Sequence, residues 1–191
     1  MRANLKKRAL AYTIDIIILG LILLLVNIIV PKDEKDINIK LDSLNETYLN
    51  KEISFNDYLE EYSIISYEID KNNIIYTIVN IIFVIIYFII MPFIFSGQTI
   101  GKKIMKIKLV KEDRLTITSL VIRNLIINGL GYMLLSLILI HILKPYSYLI
   151  ITTILSIMQL TLIIIILIGL IKNNNNLILH DRLSKTKVVV Q

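Results

Sequence analysis

Residues 9–30, 74–95, 119–142 and 146–171 form four apolar runs, each long enough to cross a bilayer. Few folds are open to such a chain. Hydrocarbon offers no partner to a backbone N–H or C=O, so each run is expected to satisfy its own backbone as an α-helix. The expected fold class is an all-α membrane protein: a four-transmembrane-helix bundle with a small cytosolic β element. Composition agrees, since 55% of the 191 residues are hydrophobic and mean hydropathy is +0.72. A soluble domain of this size could not hide that much apolar surface. The first run is read as a retained span and not as a signal peptide. It exceeds a signal h-region, residues 27–31 offer no small-residue cleavage site, and Asp15 lies inside it. Pro31 is expected to close the first helix, and the asparagine run 173–176 the fourth.

Between the first two runs, residues 31–73 form a polar, acid-rich loop. Ser54 with Asp57 resembles a capping box, and Phe55, Tyr58, Leu59, Tyr62 and Ile65 follow at helical spacing, which predicts one short amphipathic helix over 55–66. The rest of the loop reads either as a solvated acidic surface or as one that collects cations. After the second run, Gly97 and Gly101 permit positive φ or close backbone approach. Lys106–Val110 and Leu115–Ile117 read as a β-hairpin turning at 111–114, with an interfacial helix as the competing reading. Thr118 or Ser119 is expected to cap the third helix. The chain ends in a strand-like Lys187-Val-Val-Val190 that could join the hairpin.

Charge fixes an expected orientation. Of 21 lysines and arginines, fifteen lie in the N-tail, the 96–123 segment and the C-tail. Four spans with both termini cytosolic put these fifteen inside, as the positive-inside rule requires. The basic charge is thereby accounted for by topology. The expected partners are the bilayer, anionic lipid headgroups at 102–111, and another copy or a membrane partner; nucleic acid is not among them. The chain has no cysteine, which excludes disulfides and thiol chemistry. His141 and His180 lack companions at metal-ligand spacing, so neither metal nor cofactor is expected. No nucleophile–base set is visible, and Gly97–Lys103 lacks P-loop spacing, so an enzyme is not expected.

Three blocks carry a resemblance: Lys7-Arg-Ala-Leu-Ala-Tyr-Thr-Ile-Asp15, Gly97-Gln-Thr-Ile-Gly-Lys-Lys-Ile-Met-Lys-Ile-Lys-Leu-Val110 and His180-Asp-Arg-Leu-Ser-Lys-Thr-Lys-Val-Val189. In this order and spacing the chain resembles the RDD family of bacterial multi-pass membrane proteins, named for one arginine and two aspartates. Arg8 matches the arginine, Asp15 the first aspartate and Asp181 the second. Gly97, Thr99, Gly101 and Lys102 match its Gly-x-Thr-x-Gly-Lys block. The departures are the long acidic loop and Lys185, where such proteins often carry glycine. The resemblance implies a cell-membrane location and little about activity, beyond suggested transport or ion/proton antiport in some members.

Asp15 is the residue most in need of a partner, because a carboxylate at mid-helix membrane depth costs about 3 kcal/mol. Arg123 lies four residues inside the third run and Asp15 six inside the first, so their depths agree within about 3 Å. An Asp15–Arg123 pair is therefore expected, with Arg8 capping it or pairing with Asp181. Asn124, Asn128, Tyr132 and Ser136 recur every fourth residue; the fourth run carries Thr152, Ser156 and Gln159 at i, i+4 and i+7, and the second offers Asn80. Beside a titratable carboxylate, such a stripe suits a hydrated path for a proton or small cation. Alone it is interhelical glue at about 0.6 kcal/mol per contact. Two functions follow. One is transport of a small cation, or proton-coupled exchange, at Asp15. The other is a non-transporting accessory subunit that docks a partner.

Overall fold

The computed structural model describes residues 2–29, 35–172 and 179–191. Pro31 and the 173–176 asparagines, the expected helix stops, lie outside them. Helix α1 spans Leu5–Ile29 and buries only a narrow stripe, Ala11, Asp15 and Leu19, at four-residue spacing. Beyond Arg8, most of its remaining surface is apolar, and Leu10, Ile16, Ile17, Leu21, Leu24, Leu25, Ile28 and Ile29 are exposed, as expected of a lipid-facing helix. The second span is α4 (Ile74–Ile85), a π-helical turn (Ile86–Ile90) and α5 (Met91–Ile94). The third expected span is broken: α7 (Ile117–Ile127) and α8 (Leu130–Ile142) meet at 79°, with Gly129 at φ +64° in the joint. Thr116, not Thr118 or Ser119, caps α7 by accepting from the Ser119 N–H. Helix α9 runs Pro145–Lys172. Among the described residues, three helices are thus long and apolar enough to cross a membrane, and the bent pair makes a fourth if counted as one span.

The 31–73 segment is more ordered than its composition suggested. It holds two helices, α2 (Lys35–Leu49) and α3 (Phe55–Asn72), and the Ser54–Asp57 capping box forms as predicted. Ile37, Leu44 and Ile65 make a small core of their own between them. The pair is tied to the bundle at one end: Tyr67 donates to the Ile140 carbonyl at 2.7 Å, and Tyr148 to Asp70 at 2.8 Å.

Everything the family blocks contribute gathers at the opposite end. Helix α6 (Ile100–Ile104) leads into strand β1 (Ile107–Lys111), and α10 (Leu179–Leu183) into strand β2 (Thr186–Val190). The strands pair antiparallel, and the N-terminus joins them as Ala3 N–H donates to the Val188 carbonyl at 3.1 Å. The expected 106–117 hairpin does not form. Its second arm starts α7 because Thr116 caps a helix there, and β1 takes the C-terminal strand as its partner instead.

The two halves of this end are built alike. Five helical residues, one linker, a lysine in left-handed backbone and five strand residues occur twice: α6, Met105, Lys106 (φ +54°), β1; and α10, Ser184, Lys185 (φ +52°), β2. Leu109 faces Val188, the middle residue of each strand. An approximate twofold axis therefore passes between them. The described chain reads as two repeats of two apolar helical segments, a short helix and a strand, with α2–α3 inserted into the first and the α7–α8 segment of the second broken at Gly129.

Candidate functional site

Asp15 is 1% exposed, and three neutral donors fill its carboxylate. Tyr87 Oη donates to Oδ1 at 2.7 Å, the Gly101 N–H to Oδ1 at 2.7 Å, and Thr99 Oγ1 to Oδ2 at 2.6 Å. The same Thr99 oxygen caps α6 by accepting from the Lys102 N–H. One carboxylate thus fastens the Gly-x-Thr-x-Gly-Lys block onto α1. Gly101 has to be glycine, since a Cβ would strike the Ala11 carbonyl and the Asp15 carboxylate. Gly97 (φ +88°) has to be glycine as well, because a Cβ would strike the Leu109 backbone. The expected Asp15–Arg123 pair is not formed. Matching depth was insufficient, because hydroxyls and an amide from the second span and α6 reach the carboxylate first.

Arg123 instead meets Asp181. Both Arg123 Nη1 and His180 Nε2 (3.2 Å) contact Asp181 Oδ1, while Arg8 Nη2 donates to Oδ2 at 2.8 Å. Arg123 also donates to Thr186 Oγ1 at 3.2 Å. The arginine and the second aspartate of the family motif are therefore partners, and Arg123 is a third member. Burial would raise the Asp181 carboxyl; the Arg123 guanidinium, the His180 hydrogen bond and Arg8 outweigh it and hold the group well below the usual carboxylate range. His180 is pushed down to about 4, chiefly by burial and also by Arg123 and Arg8, so it is neutral near pH 7.

The polar stripe is split by the helix break. Asn124 lends one N–H₂ to two carbonyls, Phe88 at 3.0 Å and Leu120 at 2.7 Å. Phe88 is free to accept because Pro92, four residues on, has no N–H to offer. Asn128 donates to Asn124 Oδ1 at 2.5 Å and accepts from Tyr12 at 3.0 Å. Gln159 donates to the Ile126 carbonyl at 2.9 Å, one of those left open where α7 ends. Tyr132 and Ser136 fall beyond Gly129, and Ser136 bonds the Met133 carbonyl of its own helix. The continuous stripe expected across the bilayer is therefore absent: Asn124 and Asn128 belong to the site and Tyr132 does not line it.

Between α1, α7 and α9 these residues enclose a cavity of about 340 Å³. Arg8, Tyr12 and Asp15 line it from α1, Arg123, Asn124 and Asn128 from α7, and Lys102 and His180 from the short helices. Ile127, Ile163, Ile166 and Leu167 give it an apolar flank. Burial pushes Lys102 down to about 8, helped by Arg123 and Arg8 and opposed by Asp15 and Asp181. Three contributors escaped the sequence reading: Tyr87, Tyr12 and His180 as a lining residue. Tyr87 left a signal, as a lone hydroxyl in a run of isoleucines. Among the described residues, no three His, Asp or Glu side chains cluster as a metal site would require.

No curated protein and no solved structure matches the chain. The model of the RDD family matches residues 2–185, nearly its whole length. With Arg8 and Asp181 joined, Asp15 clamping the glycine block, and several membrane-length helices around them, the chain belongs to the RDD family of membrane proteins.

Proposed function

We propose that this chain is a four-span carrier of the bacterial cell membrane, with both termini cytosolic, whose solute site is the cavity between α1, α7 and α9. The observation that carries the reading is the cavity itself, set against a span broken at Gly129 and lying between two repeats. Broken helices at repeat interfaces are where carriers place their substrates. The volume also falls in the range of small-ligand pockets. Asp15 then acts as a structural clamp, because a cation reaching it must displace Tyr87, Thr99 and Gly101. Fifteen of 21 basic residues at the motif end or its flanking segments support placing that end in the cytosol.

The test is flux in liposomes holding the purified chain, with protons, Na⁺, K⁺, phosphate and a fluorescent acyl anion as probes. At least one probe is expected to move faster than in protein-free liposomes. Ile127→Trp, which fills the cavity, is expected to return it to baseline. Wild type indistinguishable from protein-free liposomes for every probe would remove the carrier reading. The accessory-subunit reading draws on α2–α3, which exposes Ile39, Leu49 and Phe55 far from the cavity. It predicts no flux, and co-purification of a second membrane protein that is lost when residues 35–72 are deleted.

A further inference from the structure

We infer that the cavity takes an anionic amphiphile, a phosphate or carboxylate headgroup on an acyl chain, with Lys102 as the headgroup cation. The inference rests on the cavity being a solute site, and it names the class of solute.

The charges around the cavity do not balance. Among the described residues, Arg8, Lys102 and Arg123 line it against two carboxylates, Asp15 and, just behind the wall, Asp181. Asp181 is taken by Arg8, Arg123 and His180. Asp15 is taken by Tyr87, Thr99 and Gly101. Neither has room for Lys102, whose ammonium makes no side-chain hydrogen bond among the described residues although its stem is half-buried. A cation so placed is completed by an anion from outside the chain, and a second cation is repelled. An entering cation would also find both carboxylates occupied.

The opposite wall specifies the remainder of the ligand. Ile127, Ile163, Ile166 and Leu167 form an apolar flank, and Ile163 and Leu167 are also exposed on the outer surface of α9. Helix α9 packs chiefly on α3, α7 and α8. The side of the cavity between α1 and α9 therefore has an apolar rim directed at the acyl region, along which a chain can lie while its head stays at Lys102. A small hydrophilic anion would leave that flank unfilled.

The experiment is ligand binding by native mass spectrometry and by fluorescence competition. It uses the full chain in phosphatidylcholine nanodiscs, with four probes: lysophosphatidate, oleate, lysophosphatidylcholine and inorganic phosphate. The two anionic amphiphiles are expected to bind one per chain, at least tenfold tighter than lysophosphatidylcholine, with phosphate alone weaker still. Lys102→Gln, which keeps most of the stem, is expected to erase the tenfold preference, and Lys102→Arg to keep it. Should Lys102→Gln not fold, Ile163→Trp at the rim is expected to weaken both acyl anions at least fivefold and leave phosphate unchanged. Equal binding of charged and zwitterionic amphiphiles, or a preference untouched by Lys102→Gln, overturns the anion assignment alone. Phosphate binding as tightly as lysophosphatidate overturns the acyl part. No binding by any probe overturns the assignment together with the solute-site reading beneath it.

Discussion

At the scale of single residues, the motif end is held by contacts that leave little slack, and substitutions there should sort cleanly. Gly101→Ala drives a methyl into the Ala11 carbonyl and the Asp15 carboxylate. It is expected to destabilise the chain by about 3 kcal/mol, the range of a broken buried polar network. Gly20→Ala, with nothing within 4 Å, should cost nothing and serves as the control; thermal unfolding in detergent compares the two. Arg123→Met leaves Asp181 buried with one guanidinium, an expected loss of about 3–5 kcal/mol. Lys185→Gly relieves a left-handed lysine (φ +52°) and should raise stability by about 1 kcal/mol. Lys185 stands where the family resemblance implies glycine, and the left-handed backbone supplies the reason. Lys102 gives a pH signature. Its value of about 8 means that the cation is present below that pH and lost as pH rises through it. Anion binding is therefore expected to be full at pH 7 and to fall above pH 8, a bound anion moving the midpoint upward. His180, neutral near pH 7, does not titrate across that window. Binding that is constant from pH 7 to 10 contradicts the assignment.

At the scale of elements, two departures from regular helix are coupled. Pro92 frees the Phe88 carbonyl, and Asn124 takes it. Asn124→Ala is expected to cost about 1–3 kcal/mol, the range for stranding a buried polar group. In a Pro92→Ala background, where a backbone N–H can reach Phe88, the cost should shrink by at least about 0.5 kcal/mol. Additive costs in the four-variant cycle would deny the coupling. These elements were unevenly legible. The apolar runs and the Ser54 capping box were readable because length and local chemistry decide them. The break at Gly129 was hidden, since the two glycines of that apolar run, Gly129 and Gly131, do not reveal which of them takes a positive φ. Helix α2 was readable in principle, through Ile37, Leu41, Leu44 and Tyr48, but its acids masked the spacing. The hairpin reading failed for a different reason. Strand pairing is a tertiary choice, and β1 found β2 nearly eighty residues away.

At the scale of the whole molecule, the chain is two repeats of apolar helices, a short helix and a strand, joined at a two-stranded sheet, with a cavity between them. The repeat is almost invisible in the sequence: Gly101-Lys102 aligns with His180-Asp181, and around them only basic residues and aliphatics agree. The three motif residues were legible one by one. Their pairing was not, because depth along a helix says nothing of which loop folds back to meet it. The central claim is that the cavity is an accessible solute site opening at the motif end. It is tested most directly by thiol labelling, since the chain has no cysteine of its own. Ile127→Cys is placed on the cavity wall, and inverted and right-side-out vesicles are treated with a membrane-impermeant maleimide. The account predicts rapid labelling in inverted vesicles, slow labelling in right-side-out ones, and protection by lysophosphatidate. A cysteine that is unreactive in both, or reactive without protection, would contradict it.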